Sequence, residues 1–398
     1  MNDTGSPASR EPTLSPAQID HSRRMRERLV AAIGAAGGWL SFEHYMDLVL
    51  YAPGLGYYSA GARKLGNDGD FTTAPEISGL FGACVARQCV ELLARLPGAS
   101  ILEVGAGSGV LAADLLEQLE RANQLPHRYR ILEISADLRS RQREYLRRRV
   151  PQLLTRIEWL ESPPAESFDG LVVANEVLDA LPVCRFCWTR AGVEELGVVH
   201  EEGDLSWASR RANAAMAQAC GQLAAAGGSW DDGYVSEYCP RLRAWTAEVT
   251  RSLRAGAVLW FDYGLPRAHY YLPERSEGTL LCHFRHRAHA DPFLYPGLQD
   301  ITAWVDFTAL AQAGAAAGFE LAGYTTQTYF LAGTGIDREM QEMAGSDSNR
   351  HARLANEARR LMMPGEMGER FKAMAWTRGV ELDLDLCGFA LRDLRHTL

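Results

Sequence analysis

What this chain lacks narrows its function before any motif is read. Its 398 residues hold no uninterrupted apolar run of about 18, so no membrane-spanning helix is expected. Basic charge is in deficit. With a net charge of −9 and an isoelectric point near 5.7, the chain as a whole repels a phosphate polyanion, and nucleic acid is not expected as its main partner. The eight cysteines, at 84, 89, 184, 187, 220, 239, 282 and 387, form no disulfide framework and follow no secretory leader, so reduced thiols in a cytoplasmic protein are expected. Cys184-Arg185-Phe186-Cys187 would turn its thiols to opposite faces of a strand. His283, His286 and His289 lack an accompanying carboxylate motif, so no metal site is expected. There is no internal repeat. The opening residues are rich in Ser and Pro, and Asp3 and Glu11 are acids that a mitochondrial presequence would avoid; residues 1–18 read as a disordered tail.

What is present is an ordinary globular composition, 47% hydrophobic and 23% charged, in a chain longer than one average domain. Apolar residues recur at helical spacing over 19–33 and 42–50, giving a helical lid that runs with a glycine-rich loop and a further helix, 78–96, to about residue 97. From 98 to 398 strands and helices alternate: strands at 100–104, 129–133, 156–160, 168–174 and 257–262, and helices at 109–122, 136–149 and 240–254. This alternation predicts an α/β fold, a doubly wound and mostly parallel sheet. Insertions are expected at about 185–237, as antiparallel hairpins, and at about 263–305, as loops. A helix at 307–318, a strand at 319–325 and a last strand at 384–391 would close the sheet.

The segment Ile101-Leu102-Glu103-Val104-Gly105-Ala106-Gly107-Ser108-Gly109-Val110 carries the chemistry. Glycines at 105, 107 and 109 let backbone turn tightly against a ligand, and the helix start offers unpaired N–H groups. A dinucleotide fingerprint needs its third glycine where Val110 stands, which disfavours nicotinamide. Glu103 would repel a diphosphate but stabilise a sulfonium amino acid with its ammonium, pointing to S-adenosylmethionine. Glu133, 24 residues after Gly109, ends a second apolar segment where a carboxylate accepts hydrogen bonds from ribose hydroxyls.

The strand 170–174 leads into Asn175-Glu176-Val177-Leu178-Asp179, where a methyl acceptor would lie. Were this one helical turn, Glu176 and Asp179 would share a face, and paired carboxylates suit a guanidinium. They are the candidate catalytic groups. Asp179 as a helix cap and Glu176 as a solvated acid is the plainer alternative. Asp70, Thr72 and Thr73 join Asn175 as candidate cofactor contacts, although a satisfied turn would use the same residues. Asp306 or Tyr263 would instead position the acceptor in a small-molecule O- or N-methyltransferase. A donor-binding assembly chaperone without turnover is a third reading.

These residues also carry a resemblance. Residues 69–78, 103–111, Glu133-Ile134-Ser135, 175–182, Asp262-Tyr263-Gly264, Pro296-Gly297, Asp300-Ile301-Thr302, Val305-Asp306-Phe307 and Met367-Gly368 resemble the MidA-like (DUF185) family. Its members are bacterial relatives of the mitochondrial complex I assembly arginine methyltransferase. The resemblance implies a class I S-adenosylmethionine-dependent methyltransferase fold of Rossmann-like type, with Ile134 beside Glu133 at the donor. It further implies a protein arginine as acceptor, on a respiratory-complex subunit in the mitochondrial relatives. A protein substrate and a second copy of the chain, as a homodimer, are the partners expected. The chain departs from the family pattern at Ala106, Ser108 and Trp304, the last of which bears on the acceptor.

Overall fold

The computed structural model describes residues 14–60, 72–227, 229–381 and 386–398. Its centre is one sheet in the order Glu320–Thr326, Phe371–Arg378, Leu253–Leu265, Phe168–Asn175, Ser100–Val104, Tyr129–Leu132, Ile157–Leu160. The last five of these run parallel, and Phe371–Arg378 is antiparallel to both neighbours. Because side chains alternate along a strand, the apolar runs feed two cores. Ile101, Leu171, Val173 and Leu259 point into one, and Leu102, Val172, Val258 and Trp260 into the other. Each core is closed by helices: Gly79–Leu93 and Val110–Arg121 on the first face, Leu242–Thr250 and Phe307–Ala316 on the second. The doubly wound fold expected from the alternation is therefore present. The chain leaves Ser100–Val104 in one direction to the 129 and 157 strands and in the other to the 168 and 253 strands. Such a reversal opens a crevice beyond the strand ends.

The N-terminal helices Pro16–Ala35 and Phe42–Tyr51 pack elsewhere, against a second, antiparallel sheet. Ser15 and Gln18 form a capping box at the start of the first helix. The expected hairpins, Cys184–Thr189, Gly192–Glu201 and Asp204–Arg211, build this sheet with Leu40–Ser41 and Tyr234–Tyr238. The inserted 263–305 stretch adds a three-stranded sheet of Leu281–Phe284, Arg287–His289 and Asp300–Thr302. Among the described residues no helix is long and apolar enough to cross a membrane.

Two expectations differ from the structure here. The helix Gly79–Leu93, grouped by its position in the chain with the lid, is instead built into the core beneath the main sheet. Gly82 allows the close approach: an added Cβ would lie 2.5 Å from Cβ of Asp114 on the neighbouring helix. The strand that completes the sheet is Phe371–Arg378, not 384–391; the described residues from 386 onward form turns and a short 3-10 helix, with Leu386 and Phe389 buried in the core. Lys372 hid the true strand by interrupting its apolar run. The structure buries that lysine and has its ammonium donate to the backbone carbonyls of Glu369 and Arg370.

Candidate active site

The strand Ser100–Val104 breaks at three glycines that all adopt left-handed conformations, with φ of +65° at Gly105, +54° at Gly107 and +85° at Gly109. Gly109 is the N-cap of the helix Val110–Arg121, with no side chain capping it. Beside the loop, at the topological switch, lies a cleft of about 510 Å³. Of the residues expected at a donor site, Thr73, Glu103, Gly105, Gly107, Glu133, Ile134 and Asn175 line it, as does Glu176. Gly109 does not; it passes beside Gln142 and starts the helix. Thr72 and Asp179 are also absent from the wall, and Asp70 lies outside the described residues.

Parallel pairing sets Val104 opposite Leu132, so Glu133 emerges next to the glycine turn. Its carboxylate is aimed by hydrogen bonds that include those from Ser135 N–H (2.9 Å) and Gln142 Nε2 (3.2 Å). Ile134, 63% exposed, presents an apolar side chain at the rim. Glu103 accepts from the Tyr129 hydroxyl at 2.8 Å, yet burial pushes its pKa up to about 7. Asn175 donates to Glu176 Oε1 (3.1 Å), while its own Oδ1 is buried without a hydrogen-bond partner among the described residues. Ser108 donates to Glu76 Oε1 at 2.5 Å.

The acceptor end departs from the helical picture. Residues 176–181 form turns, and Glu176 itself is left-handed at φ +53°, so the expected helical pairing of Glu176 with Asp179 does not exist. The reason is local. Glu176 N–H donates to Phe261 O (2.8 Å), and the next three amides turn toward the Asp262 carboxylate. Glu176 Oε1 also accepts from Ala74 N–H (3.2 Å) at the start of a short helix. Burial, and next the charge of Asp179, push Glu176 up to about 8; burial pushes Asp179 up to about 7. Among the described residues Asp179 Oδ1 meets no donor at full hydrogen-bond geometry, and the neighbouring Tyr263 hydroxyl favours its charged form. Asp179 is thus a buried charge near Glu176 rather than a second wall of a clamp.

Sequence reasoning missed the aromatic side of this end. Tyr51 and Tyr58 line the cleft with rings stacked at 5.6 Å. Their hydroxyls are spent on Ala180 O (2.8 Å) and Asp300 Oδ1 (3.0 Å), which leaves ring surface toward the ligand space. Nothing local in the sequence says that the helix Phe42–Tyr51 and the turn after it bring Tyr51 and Tyr58 to one wall. Of the rival acceptor residues, Asp306 is committed to capping Phe307–Ala316 and to an ion pair with Arg267 (2.9 Å), away from the cleft. Trp304 also lies off the cleft, under the Arg275 guanidinium.

Residues 84–325 match the family model described as "Putative S-adenosyl-L-methionine-dependent methyltransferase". The chain belongs to that family. Protein arginine methyltransferase NDUFAF7, mitochondrial, of Bos taurus is 28% identical over 394 residues, 90% of this chain and 85% of the relative. Its Danio rerio counterpart is 29% identical over 373 residues, 85% and 83% of the two chains. A superfamily member from Burkholderia thailandensis, solved bound to S-adenosyl-homocysteine, is 42% identical with a TM-score of 0.92, covering 97% of this chain and 100% of that one. The residues on this cleft fit such a ligand: buried carboxylates at two adjoining strand ends, a turn with glycines at 105 and 107, and an Asn175 oxygen without a partner among the described residues. This protein is an S-adenosylmethionine-dependent methyltransferase, and S-adenosylmethionine is its cofactor.

Proposed function

We propose that the methyl acceptor is an arginine guanidinium of a protein. The observation that carries this reading is Glu176, a carboxylate on the cleft wall whose electrostatic neighbours are themselves acids, Asp179 and Asp300. A guanidinium stays protonated in proteins and is the group that such an acidic end stabilises most. The NDUFAF7 relatives, named protein arginine methyltransferases, support the same acceptor. A respiratory-complex subunit, suggested by the family resemblance, is the first substrate to test.

The donor supplies a methyl group already activated by positive sulfur; this chain has only to orient, desolvate and deprotonate the acceptor. Glu133 would hold the ribose hydroxyls, Glu103 and Asn175 Oδ1 the ammonium, and the Gly105–Gly107 backbone the turn beneath them. Tyr51 and Tyr58 exclude water from the acceptor end and offer ring faces to a planar cation. Glu176 orients the guanidinium and takes the proton that its nitrogen gives up. A carboxylate whose pKa lies well above the ordinary range suits that transfer near neutral pH.

The test is Glu176→Gln with labelled S-adenosylmethionine and cell extract, read as methylarginine by mass spectrometry. Loss of methylarginine by about a hundredfold is expected, the scale of a general acid–base contribution. An unchanged labelling pattern would remove the proton-accepting clamp, and label on hydroxyls or small amines would favour a small-molecule methyltransferase.

A further inference from the structure

Asp262 is 1% exposed and does not line the cleft, yet its carboxylate accepts four backbone N–H groups. Oδ2 accepts from three consecutive amides, Val177 (3.2 Å), Leu178 (2.8 Å) and Asp179 (3.4 Å), and Oδ1 accepts from Tyr263 N–H (2.9 Å). Successive N–H groups converge on one oxygen only where the backbone curls into a concave turn. The residue that enters this turn is Glu176, held at φ +53°, a conformation a side chain with a Cβ rarely adopts unless its surroundings impose it. Those surroundings are a single short stretch of the adjoining strand. Phe261 O takes the Glu176 amide, and the next residue, Asp262, takes the three that follow. As a bare charge Asp262 would be misplaced, since burial first, and then Asp179 and Glu176, oppose its ionisation; it is the amide donors that favour a carboxylate there.

We infer that Asp262 is a positioning residue for the acceptor end of the cleft: by gathering three amides, it holds the 176–179 turn and with it the left-handed Glu176. The inference rests on the reading of Glu176 as the acceptor-side group. It makes the amide-accepting oxygen, not the negative charge, the feature that matters. Asparagine can keep such an oxygen facing the three amides, at the cost of turning its NH2 toward Tyr263 N–H, and alanine removes both acceptors.

The experiment uses the full chain with Asp262→Asn, Asp262→Ala and Glu176→Gln. S-adenosylhomocysteine affinity is measured by calorimetry, and methyl transfer from tritiated S-adenosylmethionine to extract proteins as an initial rate. Both Asp262 variants are expected to bind S-adenosylhomocysteine within about threefold of wild type, because Asp262 lies off the donor wall. Asp262→Asn should keep transfer within about tenfold, whereas Asp262→Ala should lose about a hundredfold, as a misplaced catalytic group does. If the alanine variant does not fold, Asp262→Ser, whose shorter arm cannot reach the three amides, takes its place with the same expected loss. Equal losses in the asparagine and alanine variants would overturn the inference in favour of a role for the charge. A fall in S-adenosylhomocysteine affinity that matches the loss of transfer would overturn it in favour of general support of the fold. Wild-type transfer by Glu176→Gln, with the Asn-against-Ala contrast intact, would sink the reading of Glu176 but leave Asp262 as the anchor of the turn.

Discussion

Replacing Gly105 by alanine separates backbone strain from donor recognition. Gly105 sits at φ +65°, where a Cβ costs about 1–2 kcal/mol. The new Cβ would also lie 3.0 Å from Val177 Cγ2, inside the usual carbon–carbon separation of about 3.5–4.0 Å, and Val177 forms part of the cleft wall. Gly98 provides the control, since it has φ +75°, has no atom within 4 Å of an added Cβ and does not line the cleft. Both alanine variants should therefore lose about 1–2 kcal/mol of folding stability, measured by chemical denaturation. Only Gly105→Ala should also weaken S-adenosylhomocysteine binding, by about tenfold or more, because a wall shifted by the clash forfeits roughly 1.4 kcal/mol of contacts. Calorimetry on the two proteins decides the matter. Wild-type affinity in Gly105→Ala, or an equal loss in Gly98→Ala, would refute the placement of the donor against this turn.

Proton linkage gives a second measurement. Burial holds Glu103 and Asp179 up to about 7 and Glu176 up to about 8, above their unfolded values of 4.5, 3.8 and 4.5. Each binds its proton more tightly when folded, so their stabilising contribution is full below about pH 4 and is lost as pH rises through roughly 7–8. The unfolding midpoint of the donor-free protein should fall between about pH 6 and pH 9, and fall less in Glu103→Gln; a rising midpoint would contradict the assignment. Binding of S-adenosylhomocysteine, whose ammonium prefers an ionised Glu103, should tighten as pH rises through about 7, and a flat calorimetric profile would count against that contact. Glu133→Ala should cost donor affinity about tenfold to a hundredfold, the scale of losing charge-assisted hydrogen bonds, while methyl transfer at saturating donor recovers. Gly82→Ala should destabilise the fold by about 1–3 kcal/mol through its collision with Asp114, with donor affinity unchanged in the folded fraction.

The parts legible in the sequence are those set by local periodicity and by backbone chemistry. Strands 100–104, 129–132 and 168–175 announced themselves as apolar runs, because both faces of a parallel sheet are buried. The glycine turn was legible because only glycine takes three left-handed positions so closely spaced. Phe371–Arg378 was hidden because a central strand carrying a buried lysine looks like a polar interruption until its carbonyl partners are known. The Glu176–Asp179 pairing failed for a related reason: three-residue spacing implies a shared face only in a helix, and the Asp262 carboxylate draws these amides into a different turn.

By itself, then, the order of residues determined the sheet's parallel core, the cofactor class and the two acids at adjoining strand ends. Each of these depends on neighbours within a few positions or on a repeated period. Folding alone decided what the acceptor meets. Tyr51, Tyr58 and Glu176 are brought to one end of the crevice from an N-terminal helix, its following turn and a parallel strand, with Asp262 and Asp300 behind them from a second parallel strand and the three-stranded sheet. The separation in the chain is too great for any pattern to encode it, and burial among like charges, which sets the proton affinity of Glu176, exists only once those elements have packed.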